Sequence, residues 1–186
     1  MEKNTEGRYY DITIAGCKRS LPIVNISDEL AIGCFIILGD IELTARAAEA
    51  LAGKIPEADV LVSAEAKGIP LVHEMARVLG MEKAVIARKS LKSYMIDPIM
   101  TEVDSITTPG RQRLYLGRSD YELLKGKRVV IVDDVISTGE SLKSIEYLVD
   151  KAGGIVVGKA AILAEGAAAE RDDIIYLEPL PLFAAE

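Results

Sequence analysis

Residues 129–132 read Val-Val-Ile-Val. Four β-branched residues in succession leave no polar face, so a strand built from them must be covered on both sides. Short apolar runs of the same kind recur at 59–63, 84–87, 155–163 and 174–177. Between them lie segments with helical spacing. Leu43, Ala47, Ala50 and Leu51 share one face of 41–53, and Ile69, Val72, Met75, Ala76 and Leu79 one face of 69–79. Leu142, Ile145, Leu148 and Val149 do the same over 140–152. Strands covered on both faces and separated by amphipathic helices predict an α/β fold with a central, mainly parallel sheet flanked by helices. Such sheets bind ligands at the carboxyl ends of their strands, which directs attention to the loops 63–68, 87–93 and 133–141.

The length of 186 residues suits one domain with a small attached lobe, and 49% apolar with 27% charged residues suits a full core. A net charge of −7 argues against nucleic acid as a partner, which calls for a basic face, but a local basic cluster can still hold a small anion. Cys17 and Cys34 form no CxxC and, with His73 as the sole histidine, cannot complete a zinc set. They read as free thiols of a reducing compartment. The polar start MEKNTEGRYYD has no signal-peptide core, and no apolar run reaches the roughly 18 residues of a membrane span. The expected location is cytoplasmic, with no membrane partner.

Two further regions do not follow the strand–helix alternation. Near the start, Tyr10, Ile12 and Ile14 alternate with Asp11 and Thr13, as in a half-buried strand, and Ala31–Leu38 is a second apolar stretch. Pro22 and Asn25–Asp28 read as turn chemistry between them. Gly39-Asp40 ends this β-rich piece, with Asp40 as N-cap of the helix that Gly53 closes. The segment 90–118 has no sustained period and contains Pro98, Pro109, Gly110 and Gly117. It reads as a lid. A hairpin pairing Asp104–Thr107 with Leu114–Leu116 would leave Thr-Pro-Gly-Arg-Gln-Arg as its tip.

The chemistry centres on Val-Val-Ile-Val-Asp-Asp-Val-Ile-Ser-Thr-Gly-Glu-Ser, residues 129–141. Exposed N–H groups where a strand hands over to a helix bind phosphate, helped by the helix dipole. Gly139 permits close backbone approach, and Thr138 and Ser141 add hydroxyl donors. Each hydrogen bond to a charged group contributes on the order of 1.5–3 kcal/mol. Asp133 and Asp134 cannot face that phosphate favourably. Sugar hydroxyls or a divalent metal would suit them. A ligand with a phosphate at one end and a ribose in the middle meets both demands. Ser-Ala-Glu-Ala-Lys-Gly-Ile-Pro at 63–70 offers small residues and Lys67 to a second anionic group, and Arg88, Lys89 and Lys92 form a basic cluster at the next strand end.

These three loops together resemble the type I phosphoribosyltransferases, and the acid-pair stretch resembles that family's 5-phosphoribosyl-1-diphosphate (PRPP) motif. The resemblance implies that Asp133 and Asp134 hold the ribose hydroxyls and act in catalysis. They would bind Mg²⁺ through those hydroxyls or water. Ser137, Thr138, Gly139, Glu140 and Ser141 would hold the 5′-phosphate, with Val135 and Ile136 within the same PRPP site. Glu140 departs from the small residue that many members carry. Ala66, Lys67 and Gly68 resemble the diphosphate loop, and Arg88, Lys89 and Lys92 would reach the leaving diphosphate. Arg111 and Arg113 would belong to the lid.

By the same resemblance, about 1–38 plus the C-terminal tail would form a hood with the base near Ile37 and Leu38. The core would run over about 39–175, and the flexible lid over about 90–118, all within one domain. The reaction implied is transfer of the phosphoribosyl group to a purine, adenine before xanthine, by a homodimer. Ser137 stands where hypoxanthine-guanine members carry aspartate, and no histidine lies in the lid, where orotate members carry Lys-x-His-Gly. The closing Pro-Leu-Pro-Leu-Phe resembles the adenine type, although that type's Tyr-x-Leu-Glu-Tyr-Gly lid is absent. Two alternatives stand beside this reading: an orotate phosphoribosyltransferase, and a non-catalytic sensor of PRPP or a nucleotide. The sensor is suggested by a similar diphosphate loop in purine-operon repressors, whose winged-helix segment has no counterpart here.

Overall fold

A computed structural model describes residues 7–103 and 112–186. The chain begins with three antiparallel strands, β1 (Tyr9–Ile14), β2 (Cys17–Asn25) and β3 (Leu30–Gly33). Helix α1 (Ile41–Ala52) leads into β4 (Val60–Ala64), α2 (Ile69–Val78) and β5 (Val85–Ala87). A hairpin of β6 (Ile99–Val103) and β7 (Gln112–Leu116) precedes the short helix α3 (Arg118–Leu124). Then come β8 (Arg128–Ile136), α4 (Glu140–Lys151), β9 (Ile155–Glu165), a 3₁₀ turn over Gly166–Glu170, β10 (Ile175–Leu180) and β11 (Leu182–Ala184).

The central sheet has the order β10-β9-β8-β4-β5, and all its pairings are parallel. Its strands show no amphipathic alternation because both faces are apolar. Leu61, Val130, Val132 and Ile162 pack toward α1 and α2. Val60, Val62, Val129, Ile131 and Ala161 pack toward α4 and the β6–β7 hairpin. The expected α/β fold is therefore the one observed. Asp40 caps α1 through Leu43 N–H at 3.1 Å, as its position suggested. Arg19 of β2 reaches the same carboxylate at 2.6 Å and ties the small sheet to the core; its guanidinium holds Asp40 below the usual carboxylate range.

Several boundaries differ from the sequence-based expectations, each for a non-local reason. The second apolar stretch is a strand only as far as Gly33, since β2 pairs with Ala31–Gly33, β11 pairs with Leu30–Ile32, and neither pairing runs further. Pro22 lies inside β2, not in a turn. It is tolerated because Ile23 N–H donates to Arg8 O, which turns the nitrogen of Pro22, opposite Tyr9, away from β1, so the missing N–H removes no bond of that ladder. The hairpin pairs Leu114 with Thr101 and Leu116 with Ile99, in place of the expected 104–107 partner; residues 104–111 lie outside the described part. Helix α3 and strand β11 carried no periodic signal in sequence. The expected end of β8 at Val132 is also superseded, because β9 continues alongside and pairs Asp133 with Ala161 and Ile136 with Ala164. His73 is exposed on α2, and Cys17 and Cys34 are both reduced. Among the described residues, no helix is long and apolar enough to cross a membrane.

Candidate active site

Strands β4 and β8 pair only over Val60–Val62 and Val129–Ile131. Beyond that point they part. Ser63 and Ala64 follow β5, whereas Asp133, Val135 and Ile136 follow β9. Helix α2 leads from β4 to β5 on one side, and β8 lies on the other, so this is the point where the strand order switches. Such a crevice at the carboxyl ends of the strands is where parallel α/β sheets bind ligands.

The two acids stand at this split, within β8 and not in the loop after it. Asp134 is 4% exposed, and Asp133 is part-exposed beside it. Asp133 Oδ1 accepts from Asp134 N–H at 2.9 Å. Burial in the sheet end pushes the Asp133 carboxyl up to about 7, and the negative charge of Asp134 acts in the same direction. Lys67 Nζ lies 2.8 Å from Asp134 Oδ2. The approach does not have hydrogen-bond geometry, and that buried oxygen receives no donor.

The loop 65–68 crosses the split. Gly68 has no room for a side chain: a Cβ there would collide with Ser63 Oγ and lie 3.3 Å from Asp133 Oδ1. The Glu65–Ala66 peptide is cis, and Ala66 and Lys67 are exposed. Ser63 Oγ is buried and has no hydrogen-bond partner.

The third loop is tied to this one by Glu65. Its carboxylate lies 2.8 Å from Arg88 Nε and 3.9 Å from Lys92 Nζ, and it accepts from Lys89 N–H at 2.7 Å. The basic cluster is thus oriented by a carboxylate on the neighbouring loop. Arg88 also bridges Tyr115 of β7 through two backbone hydrogen bonds of 2.9 Å, which fixes the base of the hairpin to the site.

Beyond β8, Ser137 and Thr138 are exposed, Gly139 is buried with φ 79°, and Ser141 is exposed in the first turn of α4. Only glycine takes this left-handed φ readily. Gly139 supplies no side chain to cap the helix, so its first N–H groups face the loop. Ile136 turns its side chain into the core, and Val135 is half-buried, which leaves these two only backbone to offer a ligand. Glu140 is half-buried. Arg113 is exposed on β7, and Arg111 lies outside the described residues. Ile37 is fully buried, whereas Leu38, the next residue, is 50% exposed beside the small sheet.

Two residues of this neighbourhood did not emerge from sequence reasoning. Glu65 lies within the 63–70 stretch but carries no sequence signal of its partners. Arg171 lies outside all three loops. Its guanidinium lies against Gly139, such that a Cβ at 139 would stand 2.5 Å from Arg171 Nη1. No local pattern connects two residues so far apart in the chain.

The phosphoribosyl transferase domain family matches residues 37–180, so the chain belongs to that family. An adenine phosphoribosyltransferase of Rhodococcus jostii (strain RHA1) is 35% identical over 130 residues, 67% of each chain. A hypoxanthine/guanine phosphoribosyltransferase of Methanothrix thermoacetophila is 30% identical over 115 residues, 62% of this chain but 56% of that protein, so the match spans little more than half of that relative. An orotate phosphoribosyltransferase of Sphingopyxis alaskensis is 28% identical over 85% of this chain and 74% of its own. In structure, the chain is similar to an adenine phosphoribosyltransferase of Rhodothermus marinus, with a TM-score of 0.64 and 22% identity over 92% of this chain and 94% of that one. At that identity the likeness speaks for the shared fold.

Proposed function

We propose that the protein is a glycosyltransferase that moves the 5-phosphoribosyl group of PRPP to a purine, adenine in preference to xanthine, releasing a nucleoside monophosphate and pyrophosphate for purine salvage. The observation that carries this reading is the position of the acid pair. Asp133 and Asp134 lie in the β4–β8 split, with the Ser137–Ser141 turn on one side and Lys67 on the other. The turn suits the 5′-phosphate, the acids suit the ribose hydroxyls, and the loops of Lys67 and Arg88 suit the diphosphate. The adenine and hypoxanthine/guanine relatives support a purine as acceptor.

The donor set fits Mg²⁺. Two adjacent carboxylates, one with an oxygen that receives no hydrogen-bond donor, suit a hard cation, held directly or through ribose hydroxyls. When bound, the ion supplies neutralisation of the departing diphosphate. The chain's own residues bind and orient. Lys67 and Arg88 stabilise charge on the leaving group, and the backbone of the 137–141 turn fixes the other end of the substrate. The small sheet serves as a hood over the base, with Leu38 against its ring, and 90–118 serves as a lid that excludes water. The protein works in the cytoplasm as a homodimer.

A pyrophosphate-release assay with PRPP, Mg²⁺ and each of adenine, xanthine, hypoxanthine, guanine, uracil and orotate tests this reading. Release with adenine first and xanthine second is expected. The orotate relative, which covers most of the chain, supports a second reading, and release with orotate alone would establish it. PRPP binding with no release from any base would mark a sensor.

A further inference from the structure

We infer that Arg171 is a binding residue for the 5′-phosphate of the ribosyl substrate, a role that rests on the phosphoribosyltransferase reading above. Arg171 follows the 3₁₀ turn after β9 and leans over the phosphate turn that follows β8. Its guanidinium is held firmly. Nε donates to Asp173 Oδ1 and Nη2 to Asp173 Oδ2, both at 2.8 Å, a fork that fixes the plane of the group. Asp173 is held in turn by Lys159 at 2.9 Å, and Lys159 reaches Glu146 of α4 at 2.6 Å. Two cations and two anions thus brace one another between β9 and α4.

The nitrogen that Asp173 does not engage is Nη1, and Nη1 is the atom nearest the position of a Cβ at residue 139. The guanidinium therefore places a donor directly beside the left-handed turn whose N–H groups open α4. A phosphate seated on those N–H groups meets Arg171 as well. Backbone donors favour any anion of suitable size, whereas a fixed guanidinium adds a directional, charge-assisted donor suited to a phosphate oxygen. Gly139 is required twice over: its φ of 79° disfavours other residues, and any side chain would displace the guanidinium.

The inference predicts a loss confined to one end of the substrate. Calorimetry on the full chain with PRPP, ribose 5-phosphate and pyrophosphate, for wild type, Arg171→Gln, Arg171→Lys and Asp173→Asn, reads it. Ribose 5-phosphate binding by Arg171→Gln is expected to weaken about 10-fold or more, since a hydrogen bond to a charged group is lost. Pyrophosphate binding stays unchanged, Arg171→Lys recovers part of the loss, and Asp173→Asn, which frees the guanidinium, falls between. Unchanged ribose 5-phosphate affinity in Arg171→Gln would overturn the inference alone. Equal losses for ribose 5-phosphate and pyrophosphate with a lowered Tm would also overturn it, reducing Arg171 to a strut. Failure of the wild type to bind either PRPP or ribose 5-phosphate would overturn the reading on which it rests.

Discussion

Lys67 Nζ lies 2.8 Å from Asp134 Oδ2, so an ion pair joins the 65–68 loop to the acid pair. On the proposed function, diphosphate and Mg²⁺ would each compete for one partner. Lys67→Met should therefore act with opposite signs on the two ligands. Pyrophosphate affinity should fall, because its counter-charge is gone. Mg²⁺ affinity of the free protein should rise, because the acids lose their internal cation. Titration calorimetry with each ligand separately checks this, and a loss of both affinities would contradict the exchange.

The acid pair also sets a pH dependence. The folded state raises the Asp133 carboxyl to about 7, so it holds that proton more tightly than the unfolded chain does. The associated stability is fully present below the usual carboxylate value of roughly 4 and is lost as pH rises toward the folded value. In Mg²⁺-free buffer the Tm of the wild type should fall between pH 5 and 8. Asp133→Asn should flatten that slope. Equal slopes in the two proteins would remove Asp133 as the cause.

At the floor of the split, Gly68→Ala is expected to destabilise the protein by about 1–3 kcal/mol, since its Cβ collides with Ser63 Oγ, and to weaken pyrophosphate binding. Ser63→Gly removes the colliding atom. The double variant should recover much of the loss, with the remainder set by the 3.3 Å approach to Asp133 Oδ1. Denaturant unfolding of the four proteins in the cycle measures the coupling, and strict additivity would show that the collision is relieved elsewhere.

The neighbours Ile37 and Leu38 should separate stability from recognition. Ile37 is fully buried between the small sheet and α1, so Ile37→Ala should cost about 2–5 kcal/mol. Leu38 is half-exposed, so Leu38→Ala should leave the Tm nearly unchanged while raising KM for the base but not for PRPP. Steady-state kinetics with each substrate varied in turn, beside a thermal melt, reads both.

The parts of this molecule legible in its sequence are those whose cause is local. The buried strands β4, β8 and β9 announced themselves by β-branched runs, and α1, α2 and α4 by apolar spacing. The acid pair and the Gly139 turn were visible for the same reason, since strand, acids and turn adjoin in the chain. What was misplaced depends on partners far away. The end of β8 is decided by β9, the register of the β6–β7 hairpin by the pairing of 99–103 with 112–116, and the extent of β3 by β2 and β11. The site follows the same division. Lys67 and Arg88 are marked by loop position, whereas Glu65 ties the loop that carries Lys67 to Arg88, and Arg171 reaches Gly139 only through the packing of β9 beside β8.

Strand β11 joins the edge of β3, so the sheet begun by residues 9–33 is completed by residues 182–184. During synthesis the first three strands emerge long before their fourth. They must wait, with an open edge on β3, until the whole parallel core has been made. The lobe that would cover the base therefore closes last. A chain interrupted within the core leaves this sheet one strand short, and folding of the small sheet becomes a check that the rest of the protein is in place.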